Sequence, residues 1–450
     1  MANRAAIVIC GAGFAGISAA FHLAVRKGVA DVVLVDEREP LTLSSNKGTE
    51  GYRNWWPGPD DLMIRFMNRS IDLLEGVADE SGNIFDLNRR GYVFLSSEPG
   101  RLRLLHQEAR VVAALGAGEV RLHDHAGLYA PSPVTGYGRG LDGADLLRDG
   151  TAVREMFPYL TADVAGMLHV RRAGWFDSQQ LGHWLLDQAQ TAGVRLVRDR
   201  VTGVDVTGGR VVGVTLAGGE KIATDTFVIA AGPHLRSVGR LLDIDLPVFN
   251  ELHGKLSLRD SQQILPAEAP LLIWSDPVVL PWRDAERDVL LADQSTAYLT
   301  RPLPAGVHVR PRDKDLLIVW TFKHTQGDFH WPPRYAPYYG EVLLRALARM
   351  LPAVTGYFGR GAGGKVDGAY YCKTRENRPL IGPLPVDGAY VIGALSGYGL
   401  MGSQAAGELL AAHVTGGALP DYAPDLALSR YENPDFVTRY ADWSATAGQL

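Results

Sequence analysis

The sequence predicts a two-domain protein of α+β and α/β character, in which a Rossmann-like nucleotide-binding domain is interleaved with a substrate domain built on an antiparallel β-sheet. Three observations support this prediction. The chain opens on a strand, a glycine-rich turn, a helix and a second strand, which is the pattern of a βαβ nucleotide-binding unit. Two later strands end in glycine-rich segments, and short β-rich runs occupy much of the chain between them.

The composition excludes several classes of protein. The 450 residues are 46% hydrophobic and 21% charged, close to the globular average. A formal net charge of -5 provides no broad positive field for nucleic acid or for an anionic membrane. There is no run of about 18 apolar residues that would predict a membrane-spanning helix. The N-terminus enters a strand directly, without the pattern of a signal peptide.

The two cysteines, Cys10 and Cys372, cannot form a disulfide framework. A reducing compartment fits this cysteine usage best, so we expect a cytoplasmic protein. His123 and His125, in the sequence HDH, have no further Cys or His at ligand spacing. We therefore expect a solvated loop there and no metal site.

The N-terminal βαβ unit reads AAIVIC-GAGFAG-ISAAFHLAVRKGV-ADVVLVDERE. Gly11, Gly13 and Gly16 form G-x-G-x-x-G, in which the first glycine allows the turn, the second admits a pyrophosphate and the third permits helix–strand packing. Phe14 and Ala15 belong to the same turn, where the helix N-terminus offers amide donors and a positive dipole end to phosphates.

Asp36 ends the second strand of this unit, where its carboxylate can accept hydrogen bonds from both ribose hydroxyls of an adenosine. Glu37 is the adjacent alternative. A glycine turn before an ordinary packing helix would show the same three glycines, and the motif alone does not separate FAD from NAD. Strand, helix and acid together favour dinucleotide binding.

Two later segments favour a long, extended cofactor. The predicted strand 226–230 is followed by Ala231 and Gly232, where the missing side chain lets the backbone pass close to a cofactor. The segment AYVIGALSGYGLMGSQAAGELL predicts a strand, a loop and an Ala/Leu-rich helix, and the loop contains Gly393, Gly397 and Gly399.

With these segments in place, the sequence resembles the D-amino-acid oxidase, sarcosine oxidase and glycine oxidase family of FAD-dependent oxidoreductases. The resemblance spans nearly the whole chain and rests on an ordered set of motifs: GAGFAGISAAFHLA, AGWFDSQQLGHWLLDQAQTAGVRL, VIAAGPH, TRENRPLIGPLP and VIGALSGYGLMG. It implies FAD as cofactor and oxidation of a C–N bond by hydride transfer to flavin N5, giving an imine that hydrolyses. It also implies that Val201 meets the adenine ring.

The resemblance further implies that the last glycine loop lies against the flavin pyrimidine, with the N-terminus of the next helix pointing at it. The residues concerned are Gly397, Tyr398, Gly399, Leu400 and Met401. A positive dipole end near flavin N1 and the C2 carbonyl stabilises the anionic reduced flavin. A purely structural helix that packs on the sheet is the alternative.

The resemblance implies domains that are discontinuous in sequence. We expect residues 1–88, 158–242 and 366–450 to form the FAD-binding domain, and residues 89–157 and 243–365 to form the substrate domain. The substrate-domain runs are expected to build a sheet that roofs the flavin. They are RRGYVFLSS, LPVFNELHGKLSLRD, APLLIWSDPVVLPW, DVLLADQ and AGVHVRPRDKDLLIVWTFKH, together with a helix, YYGEVLLRALARML.

The segment LTLSSNKGTEGYRNWW matches the part of the family sequence that skirts the isoalloxazine. Its candidate residues are Ser44, Ser45, Lys47, Gly48, Thr49 and Arg53. Arg53 is the natural clamp for a substrate carboxylate because a guanidinium binds a carboxylate bidentately; a surface arginine on a short helix is the alternative. Relatives that tether FAD through a histidine place it in this segment, which here has Asn46 and Lys47 instead.

A cationic side chain above the flavin can assist oxygen reduction by stabilising superoxide. The resemblance points to Lys323 and His324, at the end of LLIVWTFKH, while the register also allows Lys255. For His324 and the nearby His330, an exposed or hydrogen-bonded histidine is the commoner role. The lysine that sarcosine oxidases carry after SG-x-G aligns with Met401, which argues against a small sarcosine-like substrate and leaves room for a larger or less acidic amine.

Sarcosine oxidases attach FAD through a cysteine just before the segment that TRENRPLIG matches. In the register set by Thr374, the tethering position falls on Ala369, three residues before Cys372. We therefore expect non-covalent FAD. The polar run beside Cys372 is expected to bring backbone and Arg378 near the flavin edge.

Two alternative functions stay open from the sequence. The chain could be an FAD-dependent 2-hydroxy-acid or alcohol dehydrogenase on the same fold, or a flavin-bearing subunit for electron transfer.

The expected partners are a small amine or amino-acid substrate and O2 or another electron acceptor, and the sequence predicts no oligomeric state. The absence of a second G-x-G-x-x-G βαβ unit disfavours monooxygenases with a separate nicotinamide domain.

Overall fold

The computed structural model describes residues 3–125, 127, 129–138, 140–359, 364–444 and 446–448. The strands are β1 (Asn3–Arg4), β2 (Ile7–Cys10), β3 (Val32–Asp36), β4 (Gly51–Arg53), β5 (Tyr92–Ser96), β6 (Val120–His123), β7 (Ala144–Leu147), β8 (Gly166–Val170), β9 (Ala173–Trp175), β10 (Arg195–Arg198), β11 (Val201–Thr207), β12 (Arg210–Leu216), β13 (Lys221–Ala223), β14 (Phe227–Ile229), β15 (Phe249–Arg259), β16 (Leu271–Trp274), β17 (His308–Arg312), β18 (Asp315–Val319), β19 (Lys365–Lys373), β20 (Leu380–Pro383) and β21 (Ala389–Gly393). The α-helices are α1 (Phe14–Phe21), α2 (Leu62–Ser81), α3 (Pro99–Val112), α4 (Gly150–Met156), α5 (Ser178–Thr191), α6 (Leu235–Gly239), α7 (Asp284–Ala292), α8 (Tyr339–Leu347), α9 (Gly399–Thr415) and α10 (Pro434–Arg439). Within these ranges no helix is long and apolar enough to cross a membrane.

A six-stranded sheet with the strand order β10-β3-β2-β14-β21-β20 forms the centre of one domain. Its first five strands run parallel, and β20 pairs antiparallel with β21. Alternate side chains of β2 point to opposite faces. Ile7 and Ile9 pack in a core with α1, α5 and α9, whereas Val8 packs in a core with the four-stranded sheet β1-β13-β12-β11. The predicted Rossmann-like layering is confirmed.

A nine-stranded sheet with the order β19-β15-β18-β17-β16-β5-β8-β7-β6 forms the other domain. Two neighbouring pairs, β16 with β5 and β6 with β7, are parallel, and the remaining pairs are antiparallel. The predicted helix α8 contributes fully buried apolar residues, among them Val342, Leu343 and Leu344, to the core of this sheet. The expected second, sheet-based domain is therefore confirmed, with a mixed sheet that is mostly antiparallel.

Two features differ from the expectations. The run DVLLADQ, expected in a strand, lies mostly in α7, where Glu286 pairs with Arg345 of α8. Short apolar runs without a clear period do not distinguish helix from strand. The nine-stranded sheet also includes β8 and most of β19 from segments that the expected boundaries assign to the nucleotide-binding domain.

The site is positioned where the two sheets approach each other. The carboxyl ends of β2, β3, β14 and β21 meet at one edge of the six-stranded sheet, which is where ligands bind in open α/β sheets. Tyr370, Tyr371 and Cys372, near the end of β19, reach the same edge from the nine-stranded sheet.

Candidate active site

The glycine turn after β2 has the close packing expected of a pyrophosphate-binding turn. Gly11 has a φ angle of +115°, and a Cβ atom on it would lie 2.4 Å from the carbonyl oxygen of Ala230. A Cβ atom on Gly16 would lie 1.8 Å from the carbonyl oxygen of Gly11. Neither position accommodates a side chain. Because α1 begins at Phe14, its positive dipole end falls directly after the turn.

Asp36 is oriented by the backbone that it faces. Its Oδ2 atom accepts a hydrogen bond from Ala12 N at 2.7 Å, and its Oδ1 atom accepts one from Arg38 N at 2.8 Å. Each carboxylate oxygen keeps a further lone pair for a ribose hydroxyl. Glu37 instead faces Arg38 and Arg200, at N–O distances of 4.0 and 3.8 Å. Asp36 is thus the better placed of the two acids.

A cavity of about 510 Å³ connects this acid with the loop that precedes α9. The acid, the first glycine turn and the last glycine loop border one continuous space, which fits a dinucleotide such as FAD. The predicted cofactor residues that line it are Gly11, Gly13, Phe14, Ala15, Asp36, Glu37, Ser44, Ser45, Gly48, Val201, Ala231, Gly232, Gly397, Gly399 and Leu400.

The loop between β21 and α9 is strained where it borders this cavity. Ala394 and Ser396 adopt positive φ angles of 52° and 46°, a conformation that is uncommon for residues with side chains and concentrates at functional sites. The Oγ atom of Ser396 is buried and has no hydrogen-bond partner in the described chain. A polar edge of a flavin would satisfy this hydroxyl, and α9 begins three residues later, at Gly399.

A second cavity, of about 50 Å³, adjoins the first. Both cavities are lined by Tyr371, Ser396 and Gly397. The other residues of the small cavity are Thr49, Arg53, Trp56, Tyr92, His253, His308, Val319, Asn377, Tyr398, Met401 and Gly448.

Burial lowers the pKa of His308 to about 4 and also lowers that of His253, so both rings are neutral at neutral pH. Arg53 is then the one charged side chain in this lining, and the cavity is electropositive.

Arg53 is buried without an acidic partner among the described residues. Its side chain donates from Nε to Trp55 O at 3.0 Å and from Nη2 to Gly448 O. The guanidinium lies 4.5 Å from the ring centre of Trp56. Burial lowers the pKa of Arg53 from its usual value. A buried cation without a counter-ion costs free energy that a bound carboxylate would recover.

A buried charge cluster, absent from the sequence-based candidates, stands beside the small cavity. Glu251 Oε1 accepts from Lys373 Nζ at 3.0 Å and lies 2.6 Å from His253 Nε2. Burial opposes ionisation of Glu251, but the hydrogen bond from His253 and the charge of Lys373 lower its pKa to about 2. The alternation in NELHGKL, which places Glu251 and His253 on one face of β15, is the sequence signal that could have revealed two members of this cluster.

Tyr371 forms the partition between the two cavities and is also absent from the sequence-based candidates. Its ring stacks on His253, with ring centres 4.2 Å apart and an interplanar angle of 13°. A Cβ atom on Gly397 would lie 2.7 Å from the Tyr371 ring, so this arrangement requires glycine at position 397. Burial raises the pKa of Tyr371 to about 12, and its hydroxyl therefore stays protonated at neutral pH.

Among the three candidate cations, Lys255 is the one that contacts the predicted cofactor loop. Its Nζ atom donates to Asn46 O at 3.0 Å and to Gly48 O at 3.3 Å, and Gly48 lines the larger cavity. Burial lowers the pKa of Lys255 to about 8.

None of the three cations lines either cavity, and Lys323 and His324 also lie away from the predicted cofactor loop that Lys255 contacts. β18 ends at Val319, so both residues follow the strand and are exposed. Lys323 lies 5.3 Å from the ring centre of Tyr298, and His324 Nδ1 lies 3.3 Å from Glu251 Oε2. The exposed His324 therefore contacts Glu251, a member of the buried charge cluster.

Six predicted cofactor residues do not line the larger cavity: Gly16, Lys47, Thr49, Arg378, Tyr398 and Met401. Thr49, Tyr398 and Met401 line the small cavity instead. Lys47 lines neither cavity and pairs with Asp367 at 2.8 Å. Residues 44–53 therefore border both cavities: Ser44, Ser45 and Gly48 line the larger one, and Thr49 and Arg53 line the smaller one.

Arg378 is fully buried and lines neither cavity. Its guanidinium lies 5.3 Å from the ring centre of Tyr440 and 5.5 Å from that of Trp443. It donates to Asn377 O at 3.3 Å and to Gly58 O at 3.4 Å. The side chain holds the segment after α10 and does not reach the space expected for the flavin.

The expectation of a solvated loop at HDH is wrong for His123, which ends β6 and is buried, whereas His125 follows the strand and is exposed. The described ranges hold no group of three or more potential metal ligands. His123 Nε2 lies 2.7 Å from Asp145 Oδ1. Asp145 also accepts hydrogen bonds from Arg121 and Arg171. His123 is therefore part of a buried ion-pair cluster in the nine-stranded sheet.

Cys372 lines the larger cavity with a side chain that is 6% exposed. Burial raises the pKa of its thiol to about 12, so no nucleophilic thiolate is available at neutral pH. We expect acid precipitation of the yellow protein to release the flavin into the supernatant. A yellow pellet would contradict non-covalent binding.

Comparison with curated proteins finds the mitochondrial dimethylglycine dehydrogenase of Rattus norvegicus, 25% identical over 291 residues. The match covers 64% of this chain and 30% of that protein. The corresponding protein of Homo sapiens is 35% identical over 101 residues, 22% of this chain and 11% of that protein. This chain therefore spans less than a third of the length of these curated relatives.

Solved structures of similar fold include L-proline dehydrogenase from P. horikoshii, with a TM-score of 0.73 and 17% identity, covering 96% of this chain and 99% of that one. Glycine oxidase from Geobacillus kaustophilus gives a TM-score of 0.72 and 18% identity, covering 95% and 99%. The DAO family of FAD dependent oxidoreductases matches residues 6–413. The cavity, the glycine turn and this match agree, and the chain belongs to the DAO family of FAD-dependent oxidoreductases.

Proposed function

We propose that this chain oxidises the C–N bond of a small amino acid, with FAD in the larger cavity and the substrate in the small one. The observation that carries the proposal is Arg53, a buried guanidinium without an acidic partner among the described residues, beside a space that shares Tyr371, Ser396 and Gly397 with the cofactor cavity. FAD, when bound, supplies the hydride acceptor. The imine product then hydrolyses to a carbonyl compound and a free amine.

The charge of the small cavity favours an amino acid over a simple amine. A simple amine is a cation at neutral pH and would bring a second positive charge next to Arg53. An amino acid brings a carboxylate for Arg53, and the electropositive surroundings favour loss of its ammonium proton. Hydride loss requires this deprotonated nitrogen, because its lone pair forms the new C=N bond. A volume of about 50 Å³ holds only a few water molecules and favours a small substrate, in contrast to the larger or less acidic amine expected from Met401.

The electron acceptor is proposed to be O2 or another acceptor, and we assign Lys255 as the cation near that reaction. Lys255 pairs with Val319 across β15 and β18, and Val319 pairs with His308 across β18 and β17. Side chains directly opposite each other lie on the same face of a sheet. Lys255 therefore shares the face of Val319 and His308, which line the small cavity, and a cation there would stabilise developing superoxide.

Anaerobic bleaching of the flavin tests the proposed function. Purified holoenzyme is mixed with D- and L-amino acids, N-methylated amino acids, simple amines and 2-hydroxy acids while the flavin absorbance is followed. We expect bleaching by at least one amino acid and none by simple amines. If no nitrogen compound bleaches the flavin, the proposal is wrong.

The same experiment separates the alternatives. Bleaching by a 2-hydroxy acid, with a keto acid formed and no nitrogen released, would support the hydroxy-acid dehydrogenase. A flavin that no small substrate bleaches would support the electron-transfer subunit. Admission of air after bleaching distinguishes an oxidase, whose colour returns quickly, from a dehydrogenase that needs an added acceptor.

A further inference from the structure

His308 is a buried histidine of the small cavity with one ring nitrogen unpaired. The residue is 2% exposed, and its Nδ1 atom lies 2.9 Å from Gly306 O. A carbonyl oxygen can only accept, so in the neutral ring Nδ1 carries the hydrogen and Nε2 carries the lone pair. No residue of the described chain donates to this Nε2 atom.

The other histidine of the cavity has a different arrangement. His253 Nε2 lies 2.6 Å from Glu251 Oε1, and His253 Nδ1 lies 2.9 Å from Thr321 Oγ1. Both of its ring nitrogens are therefore occupied by protein groups. His253 supports the cavity wall through its stacking on Tyr371, whereas His308 has a nitrogen left for a ligand.

The remaining polar groups of the cavity do not duplicate this acceptor. Asn377 Oδ1 lacks a partner but is inaccessible within the protein. Hydroxyl groups such as those of Thr49 and Tyr371 can donate as well as accept, whereas Nε2 in this tautomer can only accept. An acceptor without a donor in the protein takes its hydrogen bond from whatever fills the cavity.

His308 and Arg53 line the same small cavity. The charge of Arg53 adds to the effect of burial in lowering the pKa of His308. A neutral ring with a fixed tautomer is then held near the guanidinium that we assign to the carboxylate.

We propose that His308 binds the substrate nitrogen, its Nε2 atom accepting a hydrogen bond from an N–H group of the amino acid whose carboxylate Arg53 holds. The inference rests on the proposed function and narrows its substrate class. A neutral primary or secondary amine has an N–H to donate, and a neutral tertiary amine has none. The site therefore prefers primary and secondary amino acids over fully N-alkylated ones.

Two carboxylates of matched shape test this inference without turnover. Pyrrole-2-carboxylate carries an N–H beside its carboxylate, and 2-furoate has an oxygen in the same place. Dissociation constants are measured for the holoenzyme by calorimetry and by the change in flavin absorbance. We expect the wild type to bind pyrrole-2-carboxylate about five- to tenfold more tightly, the size of one net hydrogen bond.

The variants assign that preference to His308. His308→Phe keeps a planar ring without the acceptor and is expected to bind both probes equally. His308→Gln, whose amide oxygen can accept, is expected to retain part of the preference. Equal affinities in the wild type, or a full preference in His308→Phe, would overturn the inference. If the wild type binds both probes with equal, measurable affinity, the inference about His308 is wrong but the proposed carboxylate site is retained. If the wild type binds neither probe, both the proposed function and the inference are wrong.

Discussion

Replacement of Arg53 by methionine is expected to lower kcat/KM for an amino-acid substrate by a factor on the order of 10² to 10³. The substrate carboxylate would lose a charged, hydrogen-bonded partner in a cavity where no other side chain of the described lining carries a positive charge. Methionine fills much of the arginine stem's volume, so the main change is the loss of the guanidinium. The measurement is the rate of anaerobic flavin reduction as a function of substrate concentration.

The substrate methyl ester is the matched control for this variant. In the wild type the ester is expected to react poorly, because it offers no charge to Arg53, and in Arg53→Met the acid and ester are expected to become similar. FAD content and the melting temperature are measured in parallel, because Arg53 also donates to Trp55 O and Gly448 O. An equal fractional loss for acid and ester would show that Arg53 acts through the fold and not on the carboxylate.

Met401 affects the positive charge of the small cavity. The resemblance to sarcosine oxidases places a lysine at this position, and Met401 does line the small cavity, with 6% of its surface exposed. The small cavity therefore has one cationic side chain, Arg53, and lacks the lysine that the resemblance places at position 401. We interpret this as a weaker hold on the carboxylate, which makes the hydrogen bond to the substrate nitrogen more important for specificity.

The nucleotide-binding half of the site could be predicted because its determinants are local in sequence. Gly11, Gly13 and Gly16 lie within six residues, and the conformation that requires glycine is set by the turn itself. Asp36 follows from the length of one βαβ unit. The strand–loop–helix pattern around Gly397 is equally compact, and its loop borders the larger cavity.

The substrate half could not be predicted in the same way, because it depends on register across the nine-stranded sheet. His308 reaches the cavity because it pairs with Val319, which in turn pairs with Lys255, and no motif links these three positions. Lys323 follows the end of β18, so it does not lie on the face of the nine-stranded sheet that Lys255 shares with Val319 and His308. A candidate list based on motifs therefore finds Arg53, which lies in a family segment, and omits His308 and Tyr371.

Replacement of Lys255 by methionine is expected to remove a rise in stability that the wild type gains between about pH 8 and pH 10.5. Burial lowers the pKa of Lys255 in the folded protein from 10.5 to about 8. Within that window the unfolded chain binds the proton and the folded chain does not, so the free energy of unfolding rises with pH by about 1.4 kcal/mol per unit. Over the whole window this contribution is about 3 kcal/mol.

Urea denaturation of the wild type and Lys255→Met across this pH range measures the effect. The variant also leaves Asn46 O and Gly48 O without the Lys255 Nζ donor. That loss changes the stability of the variant independently of the titration. The informative quantity is therefore how the difference in unfolding free energy between the two proteins changes with pH. Lys323→Met, at an exposed position, controls for the loss of one positive charge. Curves for wild type and Lys255→Met that stay parallel from neutral to alkaline pH would mean that the Lys255 ammonium is not destabilised by burial. The cation assigned to the oxygen reaction would then keep its charge well above pH 8, and that reaction should show no loss of rate as the pH rises through this value.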